Sequence, residues 1–328
     1  MAKNIVVCCD GTGNRFEENK TNPLRLHYCL RNGADQVSFY DPGVGTFDPD
    51  GPDYSAGPLG ELSSLLAKTV SGGAFGYGIV RNIADAYRFL MATYQPEDRV
   101  FLFGFSRGAF TAQAVAGMLG KCGLLYPHND NLIPYALRIH LQKDNARVAR
   151  EFKASMARPC TAHLIGVWET VKSLGDHHQD DFFYRDTADN CRHGYHAVAI
   201  DERREDFSPS LWGARENVEQ VWFPGVHGDV GGGYPEDGLA NGPLQWMIAK
   251  AAACGLAFRQ ERIAEFPPDP AGTLHASYEG GWRLRGEARR TIQDGATLHD
   301  SAARRLEAVE DYAPPNLPDA YALTETPP

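Results

Sequence analysis

The stretch RVFLFGFSRGAFTAQAVAGML, Arg99 to Leu119, decides how the rest of the sequence is read. An apolar strand over 99–103 runs into Gly-Phe-Ser-Arg-Gly, and a helix dense in alanine follows over 109–119. The pentapeptide at 104–108 fits G-x-S-x-G, a weak signal alone in a chain with 34 glycines. Strand before and helix after give it weight, because that context makes the turn a nucleophile elbow. In such a turn the serine backbone is strained, and a side chain at Gly104 or Gly108 would meet neighbouring backbone. The corner lifts the Ser106 hydroxyl above the sheet. It also leaves the Arg107 backbone N–H at a helix N-terminus, where a developing oxyanion would be stabilised.

Working outward, NIVVCC (4–9) reads as a short buried strand followed by the turn-rich DGTGN, and QVSFY (36–40) as a second strand closed by DPGVGT. From Tyr77, apolar residues at Ile79, Ile83, Ala86, Tyr87 and Leu90 mark one face of a helix. HLIGVW (163–168), AVAID (197–201) and QVWF (220–223) are further strands, and 243–256 is another helix. Short apolar strands alternating with helices predict an α/β architecture, a mostly parallel sheet flanked by helices. A charged helical segment at 125–160 and a polar one at 172–196 read as lid-like insertions above the sheet edge, and the Pro-rich tail beyond Tyr312 as extended chain. No repeat or linker divides residues 1–328, so a single domain is expected.

A serine alcohol needs a base, and the base an orienting acid. Two later strand ends supply candidates at the carboxyl edge of a parallel sheet. HLIGVWET ends its strand at Glu169, and QVWFPGVHGDVGGGY presents His227 in a glycine-rich loop. His196 rivals His227 as base, while Asp201 and Asp229 are alternatives to Glu169. Asp229, two residues from His227, is better placed to brace the loop. His163 reads as a packed histidine, His177 and His178 as solvent-facing.

Charge and composition exclude several classes. A net charge of −10 disfavours nucleic acid and anionic lipid as non-specific partners. Seven scattered cysteines without a C-x-x-C pair suggest reduced thiols rather than a disulfide framework or zinc site. The N-terminal apolar run is too short for a signal core, and no run suits a bilayer span. A cytoplasmic setting is expected, with export by a signal-independent route still compatible. No cofactor is called for: the glycines at 72–78 and 231–233 lack a following G-K-S/T. The acidic loop 47–53 lacks the EF-hand spacing.

Six ordered blocks resemble a known group: DGTGN (10–14), DPGVGT (41–46), GFSRGA (104–109), GVWETVKSLG (166–175), HAVAIDERREDFSP (196–209) and VWFPGVHGDVGGGY (221–234). Together they are similar to the α/β-hydrolase domain of type VI secretion phospholipase effectors and related bacterial and fungal proteins. The resemblance implies Ser106 as nucleophile, Glu169 as acid and His227 as base. Its acid is usually Asp, so Glu169 is a departure, although glutamate serves in some hydrolases. DGTGN also resembles the D-x-D-G-T of aspartyl-phosphate phosphatases, but Cys8 occupies the nucleophile position. The loop at 11–13 is instead expected to give a second oxyanion N–H, from Thr12, with Asp10 bracing the turn. Hydrolysis of a small-molecule or lipid ester, including phospholipids, is therefore the expected activity. A non-catalytic lipid-binding or interaction module, and acyl transfer to an acceptor other than water, are the alternatives. Oligomeric state is not legible.

Overall fold

Strand β1 (Asn4–Cys9) is buried over its whole length, as a strand covered on both faces must be. It pairs in parallel with β2 (Gln36–Asp41) and β3 (Arg99–Phe105). Cys9 faces Asp41 on one side and Gly104 on the other, so the three strands end at one edge. In this computed structural model residues 2–11, 20–43, 73–142, 144–170 and 190–327 are described, with backbone only for 73–77.

Helix α1 (Asn22–Cys29) precedes β2, and its first turn carries Pro23. Helix α2 (Gly73–Thr93) buries Ile79, Ile83, Ala86, Tyr87 and Leu90, the face predicted from their spacing. The Tyr87 hydroxyl donates to the Gly123 carbonyl at 2.6 Å and accepts from Leu125 N–H, which satisfies a buried phenol. Helix α3 (Arg107–Cys122) buries every residue from Gly108 to Leu119. After it, β4 (Leu124–Leu125) and β5 (Ala157–Arg158) form an antiparallel ribbon enclosing α4 (Ile133–Leu141) and α5 (Ala146–Met156). This is the helical insertion expected at 125–160. It is tied down, with Ile133, Ala136 and Leu137 fully buried and Lys153 donating to the Gly120 carbonyl.

The remaining elements are β6 (Ala162–Trp168), β7 (Cys191–Ala199), β8 (Val218–Phe223), α6 (His227–Gly231), α7 (Gly238–Ala253), α8 (Gln260–Ile263), β9 (Ala296–His299), α9 (Asp300–Ala308) and β10 (Tyr321–Thr324). The strands other than β4 and β5 make a mostly parallel sheet flanked by helices, the α/β class read from the sequence.

Two compact units divide the described residues. The first, 2–11, 32–43, 73–142, 144–165 and 190–194, has strand order β2-β1-β3-β6-β7. The second, 20–31, 166–170 and 195–327, has order β10-β9-β8-β7-β6, since β6 and β7 each run through both. Its core includes Val198, Ile200, Trp222 and Leu298, closed by α9.

Three differences from the sequence reading have physical causes. The polar segment at 172–196 is corrected at its end: 191–196 belong to β7, whose arginine and histidines disguise the pattern while Cys191, Gly194 and His196 are buried. Residues 171–189, with His177 and His178, lie outside the described residues, as does the loop 47–53. Helix α7 starts at Gly238 rather than at 243, with Pro243 inside it. The tail is extended, and its last part joins the sheet as β10, parallel to β9.

No described helix is long and apolar enough to cross a membrane. All seven cysteines stand outside disulfides, six of them buried.

Candidate active site

In the first unit, Ser106 stands between the last residue of β3 and the first of α3. Its φ of 56° and ψ of −120° match the first central position of a type II′ turn, which glycine usually fills. Holding serine there costs about 1–3 kcal/mol. The flanking glycines are dictated by backbone: a Cβ on Gly104 would lie 2.3 Å from the Gly108 carbonyl oxygen, and one on Gly108 would lie 2.1 Å from that of Cys9. Neither obstacle is a movable side chain. Gly108→Ala is therefore expected to lower the unfolding midpoint sharply or prevent soluble expression, measured by thermal unfolding beside Ala109→Gly.

The Ser106 side chain is 9% exposed and makes no capping hydrogen bond, although it sits at the N-cap of α3. Arg107 follows as the first helical residue, where backbone N–H groups lack intrahelical partners. Beside this corner, Asp10 accepts from Gly11 N–H and from the Tyr40 hydroxyl, both at 2.7 Å. Asp41 accepts from Gly43 N–H at 2.8 Å, and burial pushes its carboxyl up to about 6. Asp10 thus links the turn after β1 to β2. Thr12 lies outside the described residues.

In the second unit, Glu169 follows β6 with a φ of 54° and is wholly buried. Its Oε2 lies 3.0 Å from Nδ1 of His227, the first residue of α6. Four groups converge on the carboxylate. Ala199 N–H and Arg290 Nη1 donate to Oε1 at 2.6 and 2.7 Å, and Arg290 Nη2 donates to Oε2 at 2.8 Å beside His227. Burial alone would raise the Glu169 carboxyl, but the Arg290 charge and the bonds from His227 and Arg290 hold it well below the carboxylate range. Burial lowers His227 despite Glu169, keeping the imidazole neutral as a base must be. Phe207 packs edge-on against the His227 ring at 4.8 Å.

The His227 loop is held by carboxylates. Glu202 accepts from His227 N–H at 3.1 Å, from Arg203 and Arg204 N–H, from the Arg204 guanidinium and from Ser277. Asp201 accepts from Gly225 N–H and the Tyr312 hydroxyl. Asp229 accepts from Val226 N–H and from His275. Glu169 is thus the carboxylate on the His227 imidazole, while Asp201 and Asp229 bond the backbone of the two preceding residues, Gly225 and Val226.

His196 is fully buried in β7, with Nδ1 3.2 Å from the Gln220 amide oxygen and Nε2 accepting from Thr170 N–H. Burial, only partly offset by the Gln220 bond, pushes it down to about 4, and burial does the same to His140. Both histidines are then neutral when folded and charge more readily when unfolded. Their share of stability is complete above pH 6.5 and is lost as pH falls from there towards 4. The urea midpoint is expected to decline over that interval, and less steeply in His196→Asn.

Arg290, bonded to Glu169, and Glu202, bonded to the His227 backbone, were not singled out in the sequence. Arg290 lies in GEARRT, with no strand, turn or motif to single it out. Glu202 stands in the run DERRED, inside the block 196–209 that carries the resemblance, with nothing to set it apart from the charged residues around it. Among the described residues no group of three or more His, Cys, Asp or Glu side chains could share a metal ion.

Comparison with known proteins places these residues in context. The model of the family described as T6SS, phospholipase effector Tle1-like, catalytic domain, matches residues 3–250. An uncharacterized protein of Saccharomyces cerevisiae is 32% identical over 222 residues, covering 62% of this chain and 32% of that protein. The chain thus matches about a third of the length of that curated relative. A solved structure of an uncharacterized protein from Pseudomonas aeruginosa superposes with a TM-score of 0.50 at 20% identity, over 82% of this chain and 49% of that one, a likeness of fold. The Tle1 effector bound to the VgrG spike of the type 6 secretion system gives 0.49 at 14% identity, over 82% and 77%.

Proposed function

Since the chain belongs to the family of Tle1-like phospholipase effector catalytic domains, we propose that it is an α/β-hydrolase that cleaves carboxylic esters of acyl lipids, with Ser106, His227 and Glu169 as nucleophile, base and orienting acid. The observation that carries the reading is the buried Glu169–His227 pair, in which the carboxylate Oε2 lies 3.0 Å from the imidazole Nδ1. The strained serine corner supports it independently, since such strain persists where the surrounding structure enforces it.

In this mechanism the Ser106 hydroxyl attacks the ester carbonyl while His227 Nε2 takes its proton. The oxyanion is met by the Arg107 backbone N–H and by a second donor in the 11–13 loop, which we assign to Thr12. Each such donor is worth roughly 3 kcal/mol of barrier. Collapse expels the alcohol, which receives the proton from His227. Water then adds to the acyl-enzyme with His227 as base and releases the acid. Glu169 stays ionised throughout, holding one tautomer and offsetting the imidazolium charge. His227 lies below the ordinary imidazole value because it is buried, so the acid limb of kcat/KM should fall below pH 6.5.

Paired histidine variants test the assignment on a p-nitrophenyl ester. His227→Ala is expected to lose roughly 10^4-fold or more in kcat. His196→Ala, which opens space in β7, should lose stability while the folded fraction turns over. Loss of turnover only in the His196 variant would move the base.

A further inference from the structure

We propose that Arg290 is a positioning residue for this acid–base pair: its guanidinium fork holds the Glu169 carboxylate in the orientation that presents Oε2 to His227 Nδ1. The inference rests on the serine-hydrolase reading above and adds a member to its machinery. Arg290 lies beyond residue 250, where the family match ends, in a segment joining α8 to β9.

Geometry carries the argument. A glutamate has three side-chain torsions, so nothing in its own covalent structure fixes the carboxylate plane. Here both oxygens are engaged twice: Oε1 by Ala199 N–H and Arg290 Nη1, Oε2 by His227 Nδ1 and Arg290 Nη2. That fills the four acceptor positions a carboxylate offers. A two-pronged donor sets a plane, which a point charge cannot do. The fork is itself anchored, since Nη1 also donates to the Ala199 carbonyl at 2.8 Å and Nη2 to that of Phe207 at 2.9 Å. Phe207 packs on the His227 ring, so one guanidinium ties together the acid, the strand end behind it and the aromatic wall of the base. Its backbone is pinned as well: the Arg290 carbonyl accepts from the Asn316 amide.

The charge has a second consequence. Among the described residues, charged and titratable groups facing the pair include Arg290 and His196 around Glu169, and Glu202 and Arg204 around His227. Arg290 is the cation bonded to Glu169. Without it a buried carboxylate faces the imidazole uncompensated, and the pair takes up a proton more readily. A protonated pair has no base to offer. Activity lost by removing the arginine should therefore return, in part, as pH rises.

The experiment measures kcat/KM for p-nitrophenyl acetate from pH 5 to 10 in wild type, Arg290→Gln, Arg290→Ala and Arg290→Lys, with folding followed by near-UV circular dichroism. Arg290→Gln is expected to lose roughly 10²-fold at pH 7, with its acid limb moved upward by about 1 to 3 pH units. Added guanidinium at millimolar concentration should restore part of the activity of Arg290→Ala. Arg290→Lys keeps charge without the fork, so it should retain the wild-type acid limb with a lower kcat. If the neutral variants do not fold, the lysine variant decides, and a wild-type kcat there overturns the proposal. So does an unshifted limb in folded Arg290→Gln, or a loss equal at every pH with no guanidinium response, which is what a purely structural arginine would give. Ser106→Ala run alongside separates the two levels. If it still turns over ester, the hydrolase reading fails; if it is inert while the arginine variants behave as wild type, only the positioning role fails.

Discussion

Ser106→Ala is expected to remove ester turnover by roughly a millionfold in kcat, down to whatever binding and the oxyanion donors supply without a nucleophile. Its unfolding midpoint should stay close to that of wild type. Alanine takes the same φ of 56°, and the serine side chain makes no capping bond that would be lost. Ser106→Gly sharpens the test. Turnover should be lost equally, but stability should rise, because relief of about 1–3 kcal/mol of backbone strain exceeds the roughly 0.5–1 kcal/mol that glycine costs in chain entropy. On the proposed reading the corner is held against its own backbone preference for the sake of the nucleophile, so removing the function and relieving the strain go together. A glycine variant less stable than wild type, measured by calorimetry, would show that the corner is not strained in this way.

The second large effect concerns Glu169. Glu169→Gln keeps size and shape but exchanges a carboxylate for an amide. His227 then loses the partner that selects its tautomer, and kcat should drop by roughly 10^4-fold. Stability should fall too, because Arg290 keeps its charge with nothing ionised opposite it. Breaking a buried pair from one side costs about 3–5 kcal/mol. The pH dependence follows from the direction of the shift. Glu169 folded lies below its unfolded value near 4.5, so its contribution is complete above that value and is lost as pH falls below it. Denaturant midpoints of wild type and Glu169→Gln should therefore differ fully at pH 7 and converge on acidification below about 4.5. A gap as wide at pH 3 as at pH 7 would contradict the account.

Much of this was legible in the residues, for reasons that also explain what was not. Strands β1 and β3 announce themselves because central parallel strands are largely apolar, and the Ser106 turn does because two glycines are forced by backbone contact. The segments carrying Glu169 and His227 stand out for the same reason, each being a polar residue just past an apolar strand. Local signals fade elsewhere. The first half of β7 hides behind Arg192, which is exposed, and His193, whose ring packs against His163. β9 and β10 are four residues each and pair across more than twenty residues of intervening chain, so no short-range pattern reveals them. Arg290 illustrates the deeper limit. Its partner is 121 positions away, and a bidentate contact between two charged residues leaves no periodicity to read.

The claim that matters most is that the Ser106 hydroxyl is made nucleophilic by His227. Incubating the intact protein with a fluorophosphonate probe and mapping the adduct by mass spectrometry tests it most directly. One covalent adduct is predicted, on the peptide holding Ser106, forming in wild type and suppressed in His227→Ala with the fold intact. A folded wild type that stays unlabelled, or that is labelled at Ser106 just as fast without the histidine, would contradict it.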